Sequence, residues 1–263
     1  MLQHTYIHLA GIGRTSEAAL WGSGARHWDD FVELRRAGQL QGGRYESLAK
    51  GIDQSRRALE RKDPSYFWRC LPNSEHWRLY EEFADLAAFV DIETTGLSSN
   101  FDEITVVAVH SSHVTRTFVR GKNLGDFPKA MKAYPLVVTF NGACFDLPFL
   151  EASFGGYRPP AHIDLRYPLK RMGYVGGLKN VERLVGIPRP VHLREVDGWE
   201  AVRLWRAHQS GDAAALDLLL EYARADVENL APLAKRVATE LATGLGFPTR
   251  NCMWGGLAIG HPR

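Results

Sequence analysis

The chain has few cysteines, no long apolar run and almost no net charge, and each shortage excludes a class of protein. Cys70, Cys144 and Cys252 are widely spaced among 263 residues and match no metal-ligand pattern. We therefore expect free thiols in a reducing compartment rather than a disulfide framework. No apolar run approaches the roughly 18 residues of a membrane span and no signal peptide is recognisable, which predicts a cytoplasmic location. The net charge of +2 argues neither for nor against a nucleic-acid partner.

The composition is that of an ordinary globular protein, with 45% hydrophobic and 24% charged residues. Its length suits one core of α/β size with a smaller appendage. The charge is unevenly distributed, because nine Lys and Arg stand against four Asp and Glu between Arg166 and Arg206. That segment is the basic part of the chain, and the remainder is net negative.

The most informative stretch runs from Asp91 to Leu97 and follows the apolar residues 86–90. An apolar run, two acids and a Gly-containing turn predict a buried strand that ends at the edge of a sheet. Residues two apart in a strand share a face, so Asp91 and Glu93 are expected side by side with Ile92 in the core. Two carboxylates about 4 Å apart repel by roughly 4 kcal/mol at an effective dielectric constant near 20. A cation or a proton must offset this repulsion, and oxygen ligands favour Mg²⁺ or Mn²⁺.

The rest of the pattern predicts an α/β fold, in which a mixed five-stranded sheet is flanked by helices. Further strands are expected at 104–109, 114–119, 136–140 and 163–165, the first two forming an antiparallel hairpin arrangement with the strand of Asp91. Helices are expected at 75–87, 126–134, 144–154, 165–172, 177–185, 198–209 and 212–240. We divide the chain into a small N-terminal helical region (1–80), a main domain (81–240) and a C-terminal tail (241–263).

Residues 4–36 carry a glycine turn followed by two predicted helices. Gly11 and Gly13 form the turn, Thr15 or Ser16 is expected to cap the first helix, and the second runs over 27–36. The segment resembles a helix-hairpin-helix element, although Ala10 replaces the usual Pro. The resemblance implies that the backbone N–H groups around Gly11 and Gly13 bind a DNA phosphate. The alternative is a small helical cap that packs on the main domain.

Two later segments add polar residues with matching local structure. Asn141 is expected to cap the helix at 144–154, which puts Asp146 near the positive end of that helix. Tyr222 and Asp226 are four residues apart on the long C-terminal helix, so both project from one face. His162-Ile163-Asp164 is interpreted as structural.

Together these segments resemble the three motifs of the DEDD 3′→5′ exonucleases, which have the ribonuclease H-like (DnaQ-type) fold. The matches are Asp91-x-Glu93, Asn141-x-x-x-Phe145-Asp146 and Tyr222-x-x-x-Asp226. The sequence resembles the YprB-like subfamily more closely than the DEDD exonucleases in general. The segments that carry this resemblance are His8 to Gly13, Glu75 to Tyr80, Val138 to Gly142 and His162 to Arg166. Glu221 stands where a His-type third motif would have histidine, so the chain resembles the Tyr type.

The resemblance implies a two-metal site for phosphodiester hydrolysis. Asp91, Glu93 and Asp226 are then expected to hold the ion that carries the attacking water, and Asp91 and Asp146 the ion on the leaving oxygen. Tyr222 is expected to orient the water, because a phenol with a pKa near 10 is a poor base at neutral pH.

Substrate contacts follow from the same resemblance and from charge. The residues expected to line the 3′-terminal nucleotide are Thr94, Thr95, Leu97, Asn141 and Phe145. Lys170, Arg171 and Lys179 are expected to bind phosphates next to the glycine pair at 176–177. A solvated basic face is the alternative for these three.

The function expected from the sequence is a 3′→5′ exonuclease acting on single-stranded or frayed nucleic acid, with Mg²⁺ or Mn²⁺ as cofactor. Two alternatives stay open, a non-catalytic nucleic-acid-binding adaptor of a helicase and a structure-specific endonuclease on the same fold. The YprB resemblance also suggests a DNA repair setting and a helicase partner. No residue of the sequence distinguishes DNA from RNA.

Overall fold

A computed structural model of the chain describes residues 1–112, 114–194 and 196–247. Most of the predicted tail at 241–263, including Cys252, lies outside the described residues. Five strands are present: β1 (Ala87–Thr94), β2 (Ile104–Ser111), β3 (Val114–Val119), β4 (Leu136–Thr139) and β5 (His162–Asp164).

The helices of the N-terminal third are α1 (Arg14–Gly22), α2 (Trp28–Arg36), α3 (Gly43–Glu60), α4 (Pro64–Cys70) and α5 (Tyr80–Phe83). Those that follow are α6 (Phe127–Met131), α7 (Asp146–Ser153), α8 (Arg166–Arg171), α9 (Leu178–Val185), α10 (Gly198–Gln209) and α11 (Ala213–Gly244). The single helix predicted at 75–87 is wrong, because 3₁₀ turns at Asn73–Leu79 and Ala84–Leu86 flank the short α5. The predicted cap at Thr15 or Ser16 is also wrong, since α1 begins at Arg14 and Gly13 is its N-cap.

The sheet has the strand order β3-β2-β1-β4-β5. β1 pairs with β2 and β2 with β3 in antiparallel fashion, while β1–β4 and β4–β5 are parallel. The prediction of a mixed five-stranded sheet flanked by helices is therefore confirmed. This order places β1 in the centre, so its carboxyl end lies where antiparallel and parallel pairing meet.

Alternate residues of β1 face two different parts of the core. Ala87 and Phe89 belong to a large cluster that includes the buried face of α11. Ala88, Val90 and Ile92 belong to a second cluster on the other side of the sheet, packed against α6 and α7. Because side chains alternate along a strand, Asp91 and Glu93 continue the face that looks toward α11, and Ile92 is buried as predicted.

The N-terminal helices pack into the same apolar cluster as α11. Trp28, Phe31 and Phe67 are fully buried within it. The buried carboxylate of Glu17 accepts the backbone N–H of Tyr6 at 2.7 Å and binds the Arg78 guanidinium at 2.9 and 3.0 Å. The first part of the chain therefore shares a continuous core with the sheet's α11 face.

No helix in the described ranges combines the length and the hydrophobicity that crossing a membrane would need. Cys70 and Cys144 are exposed and carry free thiols, as predicted for them.

Candidate active site

Three carboxylates meet where β1 ends beneath α11. Oxygen atoms of Asp91, Glu93 and Asp226 all lie within 4.8 Å of one another. They line a cavity of about 390 Å³ together with Asp146 and Tyr222. The structure thus brings together all five residues that the three motifs predicted for the chemistry.

A register shift ends the regular part of β1 beside these acids. Glu93 pairs with Val106 and Thr94 with Ile104, so Thr105 of β2 has no partner across the ladder. Such bulges bend a strand and redirect its side chains. The turn that follows depends on Gly96, since a Cβ at this position would collide with the Asp102 carboxylate. The chain therefore leaves the sheet directly after presenting its two acids.

Asp146 reaches the cavity from the first turn of α7. The predicted cap at Asn141 is wrong, because Phe145 is the N-cap and Asn141 adopts a left-handed φ of 68°. Asp164 holds this loop by accepting the backbone N–H groups of Asn141 at 2.7 Å and Ala143 at 3.0 Å. Asp164 is thus structural, as predicted, and it positions the loop that delivers Asp146.

Burial and mutual repulsion disfavour the charged forms of these acids. Burial, followed by the charges of Asp226 and Asp146, raises the pKa of Asp91 and of Glu93 well above their ordinary values. Burial raises the pKa of Asp146 to about 7. Burial also raises the pKa of Asp226, which the Arg189 guanidinium opposes. The ionised form of the cluster is therefore stable only when cations neutralise its carboxylates.

The donor set fits a hard divalent ion. Asp91, Glu93 and Asp226 supply clustered carboxylate oxygens, which are the ligands that Mg²⁺ and Mn²⁺ prefer. Asp146 is only 3% exposed, but it lines the same cavity from the side of α7.

Arg189 forms a buried ion pair with Asp226 that the sequence reading missed. Its guanidinium contacts Asp226 and also binds the Glu182 carboxylate at 2.8 and 2.9 Å. Asn229, one turn after Asp226, donates to the same Glu182 at 3.0 Å. The segment 188–190 is Pro-Arg-Pro, and two prolines around one arginine were the available signal of a rigid loop that presents a side chain. This array holds the Asp226 carboxylate in place through Arg189.

Two cationic side chains lie over the ring of Tyr222. Lys179 Nζ lies 4.9 Å from the centre of its ring and the Arg189 guanidinium carbon 5.6 Å. Burial and the neighbouring Asp226 charge raise the pKa of the phenol. Tyr222 therefore keeps its proton at neutral pH and is available as a hydrogen-bonding group.

The predicted substrate contacts divide into two groups. Thr94, Leu97, Asn141 and Phe145 line the cavity of the four acids. Thr95 instead donates a hydrogen bond to Asp102 in the adjoining turn. Lys179 lies over the ring of Tyr222. Absent from that lining are Thr95, Lys179, Lys170, Arg171, Gly11 and Gly13, and the substrate contacts of all ten residues stay predictions. Arg171 and Arg14 both bind the buried Glu75, which commits much of their charge.

Trp199 is a further cavity residue that the sequence reading missed. It lies in the first turn of α10, where Asp197 caps the helix by accepting the N–H of Glu200 at 2.8 Å. Trp199 is 65% exposed and Leu97 is 71% exposed, although both line the cavity. Both side chains therefore offer apolar surface at the edge of a polar cavity. The helical pattern of residues 198–209 concealed this role because an aromatic residue in a helix usually packs inward.

We expect Asp146→Asn to stabilise the metal-free protein at pH 8. In the wild type, the folded state binds more protons than the unfolded state between the ordinary pKa of aspartate and about 7. Stability therefore falls as the pH rises through this window, and asparagine removes that loss. The gain is about 1–4 kcal/mol at pH 8 and disappears toward pH 4. Thermal unfolding in EDTA at both pH values measures it.

The exposed Asp126→Asn is the control for this experiment, and it should not change the melting temperature. A lower melting temperature for Asp146→Asn at pH 8 would contradict the assignment of Asp146 as a buried, strained acid.

Comparison with known proteins gives a family and distant structural likenesses. Residues 88–238 match the family model of the RNase_H superfamily, and no curated protein matches the chain. Among solved structures, the chain is similar to Brucella melitensis NrnC, with 22% identity and a TM-score of 0.45 over 64% of this chain and 78% of that one. It is also similar to the family B DNA polymerase of the archaeon Pyrobaculum calidifontis, with 19% identity and a TM-score of 0.43. The match covers 60% of this chain and 24% of the polymerase, so this chain spans about a quarter of the polymerase's length.

Proposed function

Because the chain belongs to the RNase_H superfamily, we propose that it is a metal-dependent nuclease that removes nucleotides from the 3′ end of single-stranded or frayed nucleic acid. The observation that carries the proposal is the meeting of four carboxylates and one tyrosine in a single cavity. Two carboxylates could form an ordinary ion-binding pair. Four, with three of them in mutual contact range, match the charge of two divalent ions.

Mg²⁺ or Mn²⁺ is the proposed cofactor, with two ions per site. Asp91, Glu93 and Asp226 would hold one ion, and Asp91 with Asp146 the other. Bound divalent ions supply charge stabilisation for a phosphoryl group and increase the acidity of water. The chain's own contribution is to gather these oxygens at the carboxyl end of β1, where burial prevents them from relaxing apart.

Tyr222 is proposed to orient the attacking water. Its phenol stays protonated, so it can donate one hydrogen bond and accept another without a change of charge. Lys179 and Arg189 lie over its ring and next to the acids. Their positive charges limit the repulsion that an anionic phosphodiester meets on entry.

The mouth of the cavity suits an unpaired base. Leu97 and Trp199 present exposed apolar surface there, and Phe145 lies deeper. Stacking of a base on an aromatic side chain contributes about 1–3 kcal/mol and does not depend on the base's identity. A base held in a duplex cannot enter such a contact, so single-stranded or frayed ends are the proposed substrate. Thr94 and Asn141 are proposed to contact the same nucleotide.

Membership of the YprB-like subfamily belongs to this proposal, together with the DNA repair setting and the helicase partner. It is supported by the sequence motifs alone. The endonuclease and adaptor alternatives become outcomes of the test below.

The test is digestion of oligonucleotides labelled at either end, as DNA and RNA and as single and double strands, with Mg²⁺ or Mn²⁺. We expect mononucleotides to be released from the 3′ end of single strands. A 3′-phosphate should slow the reaction about tenfold or more, because a site built around a terminal nucleotide loses its contacts to the free hydroxyl. Asp226→Asn protein prepared in parallel controls for contaminating nucleases.

Equal rates for blocked and free 3′ ends would identify internal cutting, which is the endonuclease alternative. Tight binding without hydrolysis under all these conditions would identify the non-catalytic adaptor.

A further inference from the structure

A second cavity adjoins the acid site behind Arg189. It measures about 620 Å³ and lies between α9 and the loop that follows it. Four cationic residues line it, Lys179, Arg183, Arg189 and Arg194, and Glu182 is the one acid in the lining. We call it the basic cavity.

The single acid of the basic cavity is already engaged. Both oxygens of Glu182 accept hydrogen bonds from Arg189, and one accepts another from Asn229. Glu182 is 2% exposed. Its negative charge is therefore satisfied from within the protein and opposes an incoming anion only weakly.

The cations, in contrast, have spare capacity. Within the described residues, Lys179, Arg183 and Arg194 form no ion pair; Arg183 donates to Asn180 at 2.8 Å and Arg194 to the backbone oxygen of Arg189 at 3.4 Å. The Arg189 side chain is 5% exposed, and its Nη1 has no hydrogen-bond partner. Buried polar groups without a partner are unusual in folded proteins. The buried Nη1 of Arg189 and the exposed Arg183 and Arg194 can therefore donate to an anion in this cavity.

We infer that the basic cavity is a phosphate-binding subsite, separate from the four carboxylates and joined to them through Arg189. A guanidinium group can bind two phosphate oxygens at once, and this bidentate geometry makes phosphate a suitable ligand for arginine. The phosphate is one of the substrate strand, and this identification of its source rests on the proposed function. A strand whose terminal phosphodiester lies at the acids has further phosphates to place, and Arg189, which lines this cavity, contacts Asp226 of that site.

The inference is tested by binding alone, so it does not depend on hydrolysis. Fluorescence anisotropy follows a labelled single-stranded oligonucleotide in EDTA, between 50 and 200 mM salt, with wild type and the double variant Arg183→Gln, Arg194→Gln. Each phosphate contact contributes about 0.7 to the salt slope of a single strand. The double variant should therefore lose about 1.4 from the slope and about 20-fold in affinity near 0.1 M salt.

Two further variants make the result specific. Arg194→Lys keeps the charge and should therefore keep the wild-type salt slope, while its affinity should fall less than that of the double variant because only the bidentate geometry is lost. Lys132→Gln removes one exposed charge directly after α6, which packs on the opposite face of the sheet, and it should bind as the wild type does. If the double variant binds within twofold of the Lys132→Gln control, the inference is wrong.

Calorimetric titration with inorganic phosphate and with thymidine 5′-monophosphate distinguishes the source of the phosphate. Loss of this binding in the double variant, with oligonucleotide affinity unchanged, would support an anion site and overturn the strand as its source. A loss of oligonucleotide affinity in a protein that never hydrolyses would leave the subsite in place while the proposed function fails.

Discussion

Replacing Asp226 with asparagine should lower the rate of hydrolysis on the order of 10³-fold or more. The change removes the charge that α11 contributes to the cluster and leaves its shape almost intact. Loss of a single group that stabilises charge in a transition state typically costs about 10²–10³-fold, and here a ligand is lost as well. Mn²⁺ affinity, measured by calorimetry, should fall with the rate. EDTA should abolish the wild-type activity, and Mg²⁺ or Mn²⁺ should restore it.

The matched control is Asp217→Asn, an exposed aspartate on the same helix, which should keep wild-type activity. Arg189 retains its pair with Glu182 in the Asp226 variant, so the fold should survive, as circular dichroism can verify. Activity within tenfold of wild type in metal-replete Asp226→Asn protein would remove this residue from the site.

Replacing Tyr222 with phenylalanine should lower turnover by about 10–10²-fold, because it removes one hydrogen bond to the attacking water, and a bond in a charged environment contributes about 1.5–3 kcal/mol. The ring remains, so the contacts with Lys179 and Arg189 over its face are preserved. Metal affinity should fall far less than turnover, because the phenol is not a predicted ligand and contributes only a hydrogen bond to the Asp226 carboxylate. Single-turnover kinetics and Mn²⁺ titration measure the two quantities separately.

Tyr80→Phe is the control, because Tyr80 also donates its hydroxyl toward α11, at 3.4 Å from the backbone oxygen of Ala231. It should leave turnover unchanged. If Tyr222→Phe loses metal affinity and turnover together, the tyrosine supports the cluster structurally and does not orient water.

The sheet and the long helix could be predicted because their signals are local. The apolar run before Asp91 and the helical spacing of Tyr222 and Asp226 each depend on residues close in sequence. The position of Asp146 was also predicted, although the reason was wrong. Asn141 does not cap α7; it turns in a left-handed conformation held by Asp164, and the distant partner that selects this conformation has no local signature.

The contacts that could not be predicted join distant segments. Arg189, Glu182 and Asn229 come from a loop and two helices, and only tertiary packing brings their side chains to Asp226. Charged residues in such positions look solvated in a sequence, because their burial depends on a partner elsewhere. Trp199 differs from these buried charges, because it is an apolar residue that is exposed and lines the cavity.

The position of Asp91 on β1 and Asp226 on α11 also determines when the site can exist. About half of the chain separates them, so their meeting closes a long loop and costs loop-closure entropy. The sheet strands leave the ribosome before α11 does. Until α11 docks, the Asp226 carboxylate stays apart from Asp91 and Glu93, so the cluster of acids is incomplete. A site assembled in this order is complete only after α11 has left the ribosome and packed on the sheet.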